Sequence, residues 1–426
     1  MTKLSHDDPK GEPHPAGGWS ARIRQVEGAL IVPSSTPLMV QPCGVFDGAG
    51  DFVDEAVLWR SRPLMVAPDR PQAQEHIPGH WIWGGVLLNH FGHFLTESTG
   101  RLWGVRPDRD GILFISKRGE PDEAGDVGLQ AYHRLFFELL GIDLPIRVVT
   151  RPTTVDVLDV PGQGFGIGKI ATGTSEFRAF VAERFGKSVA PEGGERLYVS
   201  RSGLGAAKGG VLEETRIEAF LADHGYEVFH PQKHSLSVQI ARYKAARRIV
   251  ALDGSALHLV AMLGKADQQV AVIRRRNSGA ADSILDHLAG FMGHPPDVID
   301  VIKRDWVRSD RRRADRFSIG ELDFEALAAR LGALGYVSTG ATMPALSEDQ
   351  ARTAIAFVES RLRGGKLRFA PLGEQVPQTR ARAGKPAVPD RATPDRSTIK
   401  ARRAVRRARR AAAKAGASTS GGQPNP

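Results

Sequence analysis

A single cysteine, Cys43, stands in 426 residues, which excludes an intrachain disulfide and any cysteine-rich zinc site. A lone cysteine is more often buried filler than nucleophile, and no neighbour of Cys43 suggests activation. Long apolar runs are also missing: none reaches the roughly 18 residues of a membrane span. The stretch MTKLSHDDPKGEPHPAGG at the start lacks the apolar core of a signal peptide. The expectation is a cytoplasmic protein, with peripheral attachment at the inner membrane as a variant. Neither a Walker loop nor a GxGxxG opening a helix is present, so nucleotide triphosphate hydrolysis and dinucleotide redox chemistry lack support.

Charge of one sign is scarce everywhere except at one end. The net charge is +10, yet residues 376–426 hold 13 Lys and Arg against 2 Asp, so the remainder carries about −1. A nucleic-acid-binding body is not implied, and no specific nucleic-acid partner is expected. The tail is rich in Pro, Ala, Arg and Ser and has few large apolar side chains to offset ordering entropy, which predicts disorder from about Gly373. Its 399–415 portion could turn helical on an anionic surface, with Arg402, Arg403, Arg406, Arg407 and Arg410 roughly on one side. Attachment to acidic lipid or RNA and a simple solubilising role are equally compatible with that composition.

What the chain does contain is concentrated in residues 82–103, IWGGVLLNHFGHFLTESTGRLW. If 90–104 is helical, Asn89, His93 and Glu97 recur every four residues, advance by about 40° each and form one polar stripe. Phe91, Phe94, Leu95 and Leu102 fall opposite. An amide, an imidazole and a carboxylate together can bind and deprotonate a hydroxyl. A solvated helix face is the bland alternative. Gly92 and Gly100 weigh against it, because each costs about 1 kcal/mol inside a helix and usually marks a close approach. His90, His93 and Glu97 could instead hold a metal, although no second ligand cluster accompanies them.

Strand and helix patterns alternate along the chain. The first eighty residues read as short strands and loops. Strands at 111–116, 147–149 and 155–160, with helices at 128–140 and 175–185, make residues 1–189 an α/β lobe. Residues 190–195 form a linker. Beyond it, strands at 196–200, 227–229, 248–252 and 269–274 alternate with helices at 214–224, 235–246, 256–263 and 283–292, which predicts a parallel, Rossmann-like lobe over 190–345. A helix at 347–363, opened by a Ser347/Gln350 capping box, fills 346–372 and is expected to pack back; residues 373–426 are the tail.

Open parallel sheets bind ligands at the carboxyl ends of their strands. Three turns lie there: 200–205 with Arg201 and nearby Lys208, 253–257 (Asp253, Gly254, Ser255, Ala256, Leu257), and Arg274-Arg275-Arg276. Cations and backbone amides in that arrangement suit a diphosphate, whose negative charge grows as a sugar–phosphate bond breaks. Asp108-Arg109-Asp110 has the short DxD form, though a polar turn explains it as well.

In order along the chain come Asn89-x-x-x-His93-x-x-x-Glu97, the strand Tyr198-Val199-Ser200-Arg201, a helix opened by Glu213-Glu214, His230-Pro231 with Ser235-Leu-Ser-Val-Gln239-Ile, and Ala246-x-x-Ile249-Val250 leading to Gly254-Ser255-Ala256-Leu257. This series, over about 82–274, resembles glycosyltransferase family 61, whose bacterial branch is associated with capsule and exopolysaccharide synthesis. The resemblance implies a GT-B arrangement of two Rossmann-like lobes, an inverting reaction, no essential metal or other cofactor, a nucleotide sugar donor, and a glycan or lipid-linked glycan acceptor. It implies that Arg201 contacts the diphosphate, that 254–257 cradles it, and that Ser235 and Gln239 lie near the nucleotide; Lys208 and Arg274 are expected at the donor from their strand-end positions alone. Asn89, His93 and Glu97 would line the acceptor side. The family usually has Asn-Glu at 213–214 and His-Gly-Ala-Gly-Leu at 253–257, so Glu213 and Asp253 are departures. The base is expected at His93 or Glu97, with Asp253 third. Rival readings are a metallohydrolase using His90, His93 and Glu97, and a non-catalytic glycan- or nucleic-acid-binding module.

Overall fold

The structure is a computed structural model that describes residues 5–36, 38–116, 128–362 and 367–374. The chain divides into Met1–Gln375 and Val376–Pro426. The basic tail and its 399–415 segment lie outside the described residues, apart from Gly373 and Glu374. No helix among the described residues is long and apolar enough to cross a membrane.

The fold is mixed α/β. The first half is built on six strands. Glu75–Leu87 runs parallel to Thr153–Pro161 on one side and to Gly111–Ser116 on the other, and Ile146–Val149 continues the parallel set. Ile23–Val32 is antiparallel to both Thr153–Pro161 and Gly44–Phe46. This margin departs from the Rossmann-like sheet expected of the first lobe. A parallel connection needs a crossover, usually a helix, and between Val32 and Glu75 the described residues form only short strands and one 3-10 turn.

The second sheet is parallel throughout. Numbered along the chain as Arg196–Val199, Glu227–Phe229, Arg248–Leu252, Gln269–Ile273 and Asp297–Ile299, its strands lie in the order 2-1-3-4-5. Its centre is buried on both faces: Leu197, Tyr198, Ile249, Val250, Ala251, Val270, Ala271, Val272 and Ile273 are each 1% exposed or less. A third sheet of Gly210–Val211, Ile319–Leu322, Ile302–Arg308 and Phe369–Pro371 had no clear pattern in the sequence. The helix Glu348–Arg361 begins with both bonds of the Ser347/Gln350 capping box. Its Ala351, Ala354 and Ile355 belong to one buried apolar cluster with Leu327, Leu331 and Tyr336, all from the second half.

One apolar core joins the two main sheets, running from Ile82, Phe94, Phe114 and Phe136 to Leu197, Ile249, Val270 and Leu288. Within it, Phe165 stacks on Phe177 with ring centroids 4.7 Å apart. The helix Asp282–Met292 lies so close to the Lys169–Thr172 turn that a side chain at Gly290 would sit 2.4 Å from the Thr172 carbonyl oxygen.

Candidate active site

The expected helix over 90–104 is broken into three pieces. Phe91–His93 forms one α-turn, Phe94–Ser98 is a π-turn, and Leu102–Gly104 is a 3-10 turn. Two hydroxyls bond back four residues, Thr96 Oγ1 to the Gly92 carbonyl at 3.0 Å and Thr99 Oγ1 to the Leu95 carbonyl at 2.7 Å, a pattern that bends helices. π-turns occur often at functional sites. Both glycines have the close approaches their cost implied. A Cβ at Gly92 would meet Ser255 Oγ at 2.5 Å, and one at Gly100 would meet the Phe165 carbonyl oxygen at 2.3 Å.

Within this segment His93 and Glu97 are coupled. His93 Nδ1 lies 2.7 Å from Glu97 Oε2, and the Glu97 side chain is fully buried while that of His93 is 39% exposed. A carboxylate only accepts, so Nδ1 carries the proton and the opposite ring nitrogen, Nε2, is left to take one. Arg60, which sequence reading missed, clamps the carboxylate with Nε to Oε1 at 2.8 Å and Nη2 to Oε2 at 2.6 Å. Its 3.3 Å approach to His93 Nδ1 sets two donors side by side, with Nη2 already committed to Glu97. Burial pushes the Glu97 carboxyl upward, but hydrogen bonds from His93 and Arg60 and the Arg60 charge outweigh it and hold the group below the ordinary value.

Arg60 is itself positioned from a distance. Gln163 accepts from the Trp59 amide at 2.8 Å and donates to the Trp59 carbonyl at 3.0 Å, and the next residue, Ser61, sits at φ 53°. A serine in the left-handed region is uncommon and needs this support.

The opposite wall belongs to the second sheet. Its 2-1-3 strand order puts a topological switch point between Arg196–Val199 and Arg248–Leu252, where doubly wound sheets bind ligands. Arg201 follows the first of these strands and Gly254 the second. They touch: a Cβ at Gly254 would lie 2.5 Å from Arg201 Nη1. The His93 turn, Ser255, Gly254 and Arg201 are therefore contiguous across the two halves.

Beneath Arg201, Glu214 fixes the loop. Its Oε1 accepts from the Arg201 amide at 2.7 Å, from Tyr198 at 3.0 Å and from Ser200 at 3.3 Å, and the residue before it, Glu213, adopts φ 50°. Burial raises the Glu214 carboxyl, partly opposed by the Arg201 amide and Tyr198.

Asp253 is 1% exposed. Its Oδ1 takes Arg275 Nε at 2.9 Å and its Oδ2 the Arg275 amide at 3.0 Å. That gives it the place of a buried counter-ion rather than of a base open to an acceptor. Arg275 and Arg276 are 5% and 8% exposed. Arg275 Nη1, Arg276 Nε and Arg201 Nε are buried without a hydrogen-bond partner. Burial, then the Arg275 charge, brings the Arg201 guanidinium down to about 10, and the same two causes lower Arg276. Two buried arginines, Arg275 and Arg276, and the partly buried Arg201 thus keep N–H groups without an acceptor, which is uncommon for buried donors.

The other expected residues fall in varied places. Lys208 is exposed; its carbonyl is 3.4 Å from Arg201 Nη2, and its charge helps lower the pKa of His90, after burial and His93. Arg274, the member of the arginine run expected at the donor, turns away to Asp282 at 3.3 Å and Asp300 at 3.8 Å. Ser235 caps the helix Leu236–Ala245, and Gln239 donates to the Pro231 and His234 carbonyls at 3.0 and 3.1 Å, so both brace the 231–236 loop. Leu257 is 1% exposed in the core. Ala256 and Ser255 are half-buried at the start of the helix Ala256–Met262. Asn89 is exposed and meets its surroundings through its carbonyl, which accepts from Tyr132 at 2.7 Å. Asp108 and Asp110 of the DxD turn bond Arg109 at 2.6 Å and the His80 amide at 2.6 Å. Among the described residues no three His, Cys, Asp or Glu are grouped to hold a metal ion.

The chain is an α/β protein that sets an imidazole–carboxylate couple and a cluster of arginines near the switch point of a parallel sheet. The family model that matches is described as Glycosyltransferase 61, over residues 91–271. The matched stretch includes the His93 turn, Arg201 and the 253–257 turn, and stops before Arg275. The match supports a transferase enzyme acting on glycans with a sugar donor. No curated protein matches significantly.

Proposed function

We propose that this chain is an inverting glycosyltransferase of GT-B type that moves a sugar from a nucleotide diphosphate sugar, UDP-linked, to a glycan acceptor in polysaccharide biosynthesis. The observation that carries the reading is the contact of the His93 turn with Ser255, which brings a proton-accepting imidazole beside a turn flanked by three arginines with unused donors. In the reaction, the acceptor oxygen bonds to the anomeric carbon as the bond from that carbon to the diphosphate oxygen breaks. The acceptor proton passes to His93 Nε2, and Glu97, held by Arg60, steadies the imidazolium that forms. Arg201, Arg275 and Arg276 take up the charge on the departing diphosphate. Lys208 lies at the open edge of the same site. Attachment of the basic tail to an anionic membrane surface would keep the enzyme near lipid-linked acceptors.

The test is UDP release from a panel of UDP-linked sugars with glycan acceptors. The wild type should release UDP from at least one in an acceptor-dependent manner. His93→Ala should lose at least about a hundredfold in rate, the lower range for general-base removal. Equal rates in the two proteins would overturn the assignment.

A further inference from the structure

One buried titratable pair near the His93 turn has no part in the scheme above. His258, on the helix Ala256–Met262, places its Nδ1 2.8 Å from Nδ1 of His287. His287 Nε2 in turn lies 3.0 Å from the Gly166 carbonyl oxygen. A carbonyl can only accept, so His287 Nε2 carries a hydrogen, and a neutral imidazole has only one. His287 Nδ1 is then an acceptor, His258 Nδ1 must be its donor, and His258 Nε2 is a bare lone pair. Burial supports the neutral forms of both rings, bringing His287 down to about 4 and His258 well below its ordinary value, where His287, His93 and His90 add to the effect.

The position of that lone pair matters. His258 follows Ser255 by one helical turn, on a helix that packs against the Phe94–Ser98 turn, and the charges of His93 and His90 reach it, so it lies beside the His93 turn. No protein group among the described residues hydrogen-bonds its Nε2. An ionised phosphate oxygen has no proton to offer it. Sugar hydroxyls are the donors such a cleft would contain.

Resting on the transferase reading, we infer that His258 Nε2 accepts a hydrogen bond from a sugar hydroxyl of the substrate, and that His287, anchored to Gly166, is the positioning residue that fixes its tautomer. The site would discriminate by chemistry: it accepts hydroxyls and refuses phosphate oxygens. The first half sets the tautomer through Gly166 while the second half presents the nitrogen.

Two measurements on the full chain test this. 15N NMR of the histidine-labelled protein, assigned by comparison with His258→Asn, should show a protonated Nδ1 and an unprotonated Nε2 for His258. A protonated Nε2 would overturn the proposal, and this arm requires no turnover. In the second, His258→Asn, which keeps a donor near Nδ1 but has nothing at Nε2, should lower kcat/KM for a UDP-linked sugar about tenfold, as for one lost hydrogen bond. Its affinity for UDP alone should stay unchanged. His258→Gln, which can place an amide oxygen at the Nε2 position, should recover most of that loss. A KM rise confined to the donor would assign the hydroxyl to the donor sugar, and one confined to the acceptor would assign it to the acceptor. Unchanged kcat/KM in His258→Asn, or an equal loss in His258→Gln, would overturn the proposal. If the wild type turned over no UDP-linked sugar, the transferase reading would fall, and the NMR result would still decide the tautomer.

Discussion

Replacing Arg60 by Ala removes the clamp on a buried carboxylate, and the structure sets the size of the effect. Arg60 gives Glu97 two charge-assisted hydrogen bonds, at 2.8 and 2.6 Å, and the Glu97 side chain has no exposed surface. Taking one partner from a buried ion pair costs about 3–5 kcal/mol. His93 remains on Oε2 and the Arg60 side chain is 27% exposed, so water and imidazole compensate in part. A loss of about 2–3 kcal/mol follows. At about 2.1 cal/mol/K per residue over roughly 375 residues, that lowers Tm by about 3 °C. The sign with pH is fixed. Glu97 has a depressed folded pKa, so its stabilisation is fully present above the unfolded carboxylate value and is lost as pH falls through the folded one. Without Arg60, burial dominates and the carboxyl rises, so the variant protonates Glu97 sooner and the gap from wild type narrows toward pH 4. Calorimetry at pH 7 and near pH 4 measures both. A Tm within 1 °C of wild type at pH 7, or a gap independent of pH, would refute the reasoning about the clamp.

Gly92→Ala forces a Cβ to 2.5 Å from Ser255 Oγ, so it should cost about 1–3 kcal/mol as overpacking does; Ser255→Ala should recover part of this in a double-mutant cycle by denaturant unfolding. Glu214→Gln keeps the size but weakens the acceptor under the Arg201 amide, and UDP affinity measured by titration should fall about three- to tenfold. Removing residues 376–426 takes away a charge of +11 and should abolish cosedimentation with anionic vesicles at low salt while leaving transfer to a soluble acceptor unchanged.

Much of the second half was legible because its signals are local. Near-continuous apolar runs such as Ile249–Leu252 announce a buried parallel strand, and Ser347 with Gln350 announces a helix start; both appear as expected. The third sheet was not legible because Gly210–Val211 and Phe369–Pro371 are two- and three-residue strands without a period. The helix at 90–104 was overestimated, since spacing alone does not reveal the back-bonding of Thr96 and Thr99 or the contacts that confine Gly92 and Gly100. His93 and Glu97 could be paired from their spacing. Arg60 could not, because it reaches Glu97 across 37 positions through a loop held by Gln163. Arg275 and Arg276 were visible only as part of a cation run. The burial and the Asp253 partnership that separate them from Arg274 come from packing.

The most direct test of the cleft is a titration of UDP into three proteins: the wild type, Arg275→Ala and His93→Ala. The two-walled account predicts that Arg275→Ala loses at least about tenfold in affinity, as for a hydrogen bond to a charged group. It predicts that His93→Ala binds UDP like the wild type while failing to transfer sugar. Wild-type affinity in Arg275→Ala, or loss of binding in His93→Ala, would contradict the separation of anion binding from proton removal.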